Sequence, residues 1–139
     1  MERRAVMVET SALAAIVLGE PERQAFLERI AAADRPLMLA TGVLETVLAL
    51  SRQKRISPED AYEIVADLIA ELRIEIVDFV AAMLPLAVAA RQKYGAGKDR
   101  LNMGDCLSYA AARHHGAELL FKGADFQRTD VNADVGGRE

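Results

Sequence analysis

The sequence predicts an α/β fold: an open parallel β-sheet of four to five short strands between α-helical layers. Short apolar or β-branched runs recur along the chain, AVMV (5–8), PLMLA (36–40), IEIV (74–77) and LLF (119–121). Between them lie longer segments whose apolar residues keep helical spacing, opened by Ser, Thr or Pro and closed by Gly. Strands with almost no polar alternation need cover on both faces, and parallel strands joined by crossover helices provide it.

The elements follow in order. The run 5–8 reads as a buried strand that ends where Thr10 and Ser11 can cap a helix over Ala12 to Leu18, stopped by Gly19. Pro21 suits a first helical turn, so 21–33 reads as a second helix with Phe26, Leu27 and Ile30 on one face. After the strand 36–40, Thr41 is expected to cap a helix to about Arg55. Ser57 and Pro58 open another to about Leu72, with Ile64, Val65, Leu68 and Ile69 forming its apolar face. The strand 74–77 leads into a helix ending at Tyr94, with Pro85 in its first turns or kinking it. GAGKDRLNMG (95–104) reads as a loop, 105–115 as an alanine-rich helix ending at Gly116, and 119–121 as the last strand.

The 139 residues fit one domain, with a core over about 5–131 and a short polar tail at 132–139. A net charge of −4 argues against bulk electrostatic capture of nucleic acid. The single cysteine, Cys106, can form no intrachain disulfide, which makes a cytoplasmic location the expectation. Glu9 interrupts the apolar start, so a secretory leader is not expected. The apolar stretch 79–90 is shorter than the roughly 20 residues a membrane-spanning helix needs.

Four acids stand where the pattern calls for apolar residues. Glu9 ends the first strand, Glu45 is the only charge in PLMLATGVLETVLALS, Asp105 is the only charge between Arg100 and Arg113, and Asp125 follows the last strand. Burying several carboxylates together is unfavourable without a compensating cation, and hard oxygen donors suit Mg²⁺ or Mn²⁺. Taken singly, each acid is as well explained as a helix cap or as the partner of a base such as Arg52, Arg113 or Lys122.

Other constellations are poorer. GAGK (95–98) lacks phosphate-loop spacing. His114 and His115 are adjacent, not four apart, and suit the end of a helix better than a metal site. Neither Ser11 nor Cys106 has an identifiable histidine base.

Four blocks, VETSALAAIVLGEPE, ATGVLETVLAL, YGAGKDRLNMGDCLSYAAARHHG and LLFKGADFQRTDV, resemble the PIN-domain toxins called VapC, in order and spacing, from about Val6 to Val131. The resemblance implies a PIN-like domain with Mg²⁺- or Mn²⁺-dependent endoribonuclease activity. It also implies a homodimer and a cognate VapB-type antitoxin that silences the toxin in a hetero-oligomer. Glu9, Glu45, Asp105 and Asp125 take the positions of the family's acids, with Glu9 and Asp105 as the main metal ligands and Glu45 and Asp125 as the further acids able to recruit a second ion. Thr10, Ser11, Asn102 and Asp130 take supporting positions. Lys98, Arg100 and Lys122 lie where they could contact RNA phosphates.

One departure stands out: the family's first acid is normally aspartate, in a DTSA motif, and here it is Glu9. The extra methylene opens an alternative, a catalytically weakened PIN module that mainly binds its antitoxin and dimerises.

Overall fold

Four parallel strands form the sheet in the computed structural model, which describes residues 4–97 and 100–123. They are β1 (Ala5–Val8), β2 (Arg35–Leu39), β3 (Glu75–Val77) and β4 (Glu118–Leu120). The strand order is β3-β2-β1-β4, so β1 is flanked on one side by β2 and on the other by β4. Six α-helices connect them: α1 (Thr10–Val17), α2 (Arg23–Ala32), α3 (Ala40–Lys54), α4 (Pro58–Glu71), α5 (Leu84–Tyr94), preceded by a single 3₁₀ turn at Ala81–Met83, and α6 (Met103–His115).

The apolar strands are covered on both faces, as their composition requires. Successive side chains along a strand point to opposite faces. Val6, Val8, Met38 and Leu120 pack with Leu13, Phe26, Val47 and Val65 from α1 to α4. Met7, Leu37, Leu39 and Leu119 pack on the other face with Ala90, Tyr94, Tyr109 and Ala110 from α5 and α6. The connection from β1 to β2 runs to one side and β4 lies on the other. A topological switch point therefore falls at the carboxyl end of β1, where open α/β sheets place their sites.

Several boundaries differ from the sequence expectation. Thr10 and Ser11 do not cap α1; they are its first two residues, and the Glu9 side chain is the cap, accepting from the Ser11 N–H. Pro21 lies in a turn before α2, which starts at Arg23. Thr41 is inside the first turn of α3, since backbone continuing from β2 turns helical at Ala40 without a side-chain cap. α6 starts two residues early because Asn102 and Asp105 form a reciprocal capping box. Ser57 caps α4 with Pro58 in its first turn, and Pro85 lies in the first turn of α5, as the sequence indicates. On α4, Val65 and Ile69 are buried, but Ile64 is exposed and Leu68 only half-buried. No helix among the described residues is long and apolar enough to cross a membrane.

Gly116 closes α6 at φ +62°, and a Cβ placed there would meet no atom within 4 Å. Gly116→Ala therefore carries a backbone penalty alone. It is expected to lower stability by about 1 kcal/mol, read as a lower urea midpoint at unchanged m value.

Candidate active site

β1 delivers Glu9 to the carboxyl edge of the sheet, and the Glu9 N–H extends the ladder by donating to the Leu120 carbonyl of β4 at 3.0 Å. Its side chain turns back over the start of α1. There Oε1 accepts from the Ser11 N–H at 3.0 Å and from the Ser11 hydroxyl. Ser11 Oγ in turn accepts from the Lys122 N–H at 2.8 Å. One hydroxyl thus joins the acid at the end of β1 to the segment leaving β4, a link that residue types alone do not reveal.

Two neighbouring acids approach from other elements. Thr10 Oγ1 donates to Oε1 of Glu45 at 3.1 Å, tying α3 to the first turn of α1. The two helices come close enough for this because Gly42 has no side chain; a Cβ there would lie 3.2 Å from Thr10 Oγ1. Asp105, buried at the third position of α6, accepts from the Asn102 N–H at 3.0 Å while its own N–H donates to Asn102 Oδ1 at 2.8 Å. Glu45 also lies against α6, with its Oε2 only 2.6 Å from where a Cβ on Gly104 would stand.

Glu9 is 7% exposed, and its carboxyl is pushed up from 4.5 to about 7. Loss of hydration is the main cause; the Ser11 hydrogen bonds oppose it, and the charges of Asp105 and Glu45 add to it. Among the described residues neither Glu9 nor Glu45 is paired with a base. The site therefore combines hard oxygen donors with negative charge on Glu9 and Glu45 that no base among the described residues neutralises. No three His, Cys, Asp or Glu side chains among the described residues are drawn into a ready-made cage for an ion. Mg²⁺ and its kin do not need one, since they keep several waters and use one or two carboxylates plus substrate phosphate.

The structure brings together Glu9, Thr10, Ser11, Glu45, Asn102 and Asp105. Glu45 is exposed rather than set in a buried helix face, because its side chain leans over the mouth of the site. Arg100 is exposed, two residues before the cap of α6. Lys122 Nζ is held by Glu20 at 2.7 Å and faces Glu22 at 3.4 Å, so its charge is committed to those acids. Lys98, Asp125 and Asp130 lie outside the described residues. Cys106 is buried, and that burial pushes its thiol up, which suits a packing residue and not a nucleophile.

Comparison with known proteins places this geometry among relatives. Residues 6–132 match the PIN domain family. Ribonuclease VapC30 of Mycobacterium tuberculosis is 36% identical over 129 residues, covering 91% of this chain and 95% of that protein. Ribonuclease VapC of Mycolicibacterium smegmatis is 37% identical over 133 residues, covering 92% and 98%. VapBC2 from Rickettsia felis, solved bound to a DNA fragment from its promoter, shares the fold with a TM-score of 0.71 at 19% identity, covering 93% of this chain and 95% of that one.

Glu9 makes stability depend on pH with a definite sign. The unfolded chain loses this proton near 4.5 and the folded chain near 7. The contribution of Glu9 is thus fully present below 4.5 and is lost as pH rises through 7, by on the order of 3 kcal/mol. Urea denaturation in chelator across this range should show wild-type stability falling relative to Glu9→Gln, which keeps the shape without the charge. Parallel curves for the two proteins would show that Glu9 titrates normally.

Proposed function

This chain belongs to the PIN-domain family, among the VapC ribonucleases, and on that premise we propose that it is a Mg²⁺- or Mn²⁺-dependent endoribonuclease, the toxin of a toxin-antitoxin pair. One observation carries the metal dependence: a buried carboxylate at the end of the central strand, with two further acids bearing on it and no base to neutralise it. The donor set fits a hard divalent ion. Such an ion, when bound, supplies positive charge to the scissile phosphate and acidifies a water for attack on it.

The chain's own residues hold that arrangement. Both hydrogen bonds to the Glu9 carboxylate fall on Oε1, so Oε2 is the atom available to the ion or to a water on it. Asp105 is the second ligand, its carboxylate oriented by the Asn102 N–H at the start of α6. Glu45, oriented by Thr10, adds a third acid to the site and draws further positive charge when RNA enters; Asp125, outside the described residues, is the fourth acid that the family resemblance implies. The N-termini of α1 and α6 both converge here, and their dipoles favour anions, carboxylates and phosphate alike. Arg100 is a steering group for the RNA backbone at the rim.

The partner expected from this reading is a VapB-type antitoxin, which silences the site by inserting a basic side chain among the acids, an arrangement that arginine's fork favours. Homodimerisation belongs to the same reading. A second reading, in which the chain binds its partner but cleaves weakly, draws on the way Glu9 curls back onto Ser11 as a helix cap.

The purified chain, free of antitoxin, should cleave RNA when Mg²⁺ or Mn²⁺ is supplied and stop in excess chelator. Asp105→Asn should lower the rate by on the order of a hundredfold, the scale of a misplaced reacting group. Cleavage that continues in chelator, or is unchanged by Asp105→Asn, sinks the metal-nuclease reading. Activity confined to Glu9→Asp favours the weakened module.

A further inference from the structure

Resting on the metal-nuclease reading, we propose that Gly104 is a positioning residue of this site: its missing side chain is the space that lets the Glu45 carboxylate lie against the first turn of α6 beside Asp105. The three atoms nearest a Cβ on Gly104 all belong to the Glu45 carboxyl group, at 2.6, 3.2 and 3.2 Å. Gly95 provides the contrast, because a Cβ there would meet the Arg91 carbonyl oxygen at 2.1 Å, a clash with the backbone itself. At Gly104 none of the three nearest atoms is backbone; all lie at the far end of one side chain.

Nor does the backbone require glycine there. Gly104 is not among the positive-φ residues, and it occupies the second position of a helix whose later turns are rich in alanine. Alanine is the stronger helix former by up to about 1 kcal/mol. Helix propensity favours Ala at this position, and the placement of Glu45 favours Gly. A Cβ at 104 would drive the carboxylate out from 2.6 Å to the ordinary contact range of 3.4–4 Å. That is a shift of about 1 Å, enough to cost on the order of a hundredfold in rate at a reacting site.

The experiment compares wild type, Gly104→Ala, Glu45→Asp and the double variant in three measurements: thermal melting in chelator, Mn²⁺ binding followed by electron paramagnetic resonance, and RNA cleavage. Gly104→Ala should melt at or above the wild-type temperature, bind Mn²⁺ several-fold more weakly, and cleave on the order of a hundredfold more slowly through kcat. Because aspartate withdraws the carboxylate by one methylene, Glu45→Asp should cost far less in the Gly104→Ala background than alone, the coupling expected of groups in contact. Independent, multiplicative effects overturn the proposal. So does a Gly104→Ala protein with Mn²⁺ affinity and cleavage within twofold of wild type, or one that melts well below it. Wild-type cleavage that survives chelator instead overturns the metal-nuclease reading, whatever Gly104 does.

Discussion

A carboxylate buried at the end of the central strand is the constraint on which the rest of the site depends. β1 lies between β2 and β4 and is covered by helices on both faces, so the residue that follows it can escape neither sideways nor up. Glu9 is therefore held out of water at the switch point of the sheet. Its charge is opposed by desolvation and by two neighbouring acids, and is relieved only by Ser11. The surrounding polar contacts make sense as responses to that placement. Ser11 ties Glu9 to the exit of β4, Thr10 ties α1 to Glu45 on α3, and the Asn102 capping box holds Asp105 at the start of α6. Four segments distant in sequence are thereby fixed around one pocket of negative charge.

Much of this was legible in the residues. Apolar runs such as AVMV and PLML point to strands covered on both faces, and Ser57-Pro58 and Gly116 mark where helices start and stop. Glu9 and Asp105 are conspicuous because a lone acid in an apolar pattern either has a partner or has work to do. Glu45 was visible for the same reason but is exposed, since one residue on a helix cannot reveal whether its side chain points into a core or leans along the surface. The two-residue shift at the start of α1 has a physical cause: Glu9 competes with Thr10 and Ser11 for the cap, and geometry, not residue type, decides. Gly104 was hidden altogether, because the absence of a side chain acquires meaning only once the neighbouring carboxylate is in place.

Glutamate at position 9, where the family resemblance leads one to expect aspartate, sharpens the relation between fold and activity. Its carboxylate caps α1 through Oε1, while Oε2 takes no hydrogen bond from the described residues. Cap and ligand are compatible roles for one carboxylate, because it has two oxygens and the helix uses only one. They also compete, because every donor that stabilises the charge on Glu9 through Ser11 reduces what a cation gains there. On the metal-nuclease reading proposed above, the balance between them sets how strongly the chain holds an ion and how fast it cleaves RNA.

Anomalous scattering from crystals of the protein grown or soaked with Mn²⁺ addresses that balance most directly. A peak within direct or single-water reach of both Glu9 and Asp105, absent in Asp105→Asn crystals, is the outcome expected if the buried acid is one wall of a metal site. Saturating Mn²⁺ that gives no peak there, with Glu9 still folded onto Ser11, would contradict it and leave the carboxylate as a helix cap alone.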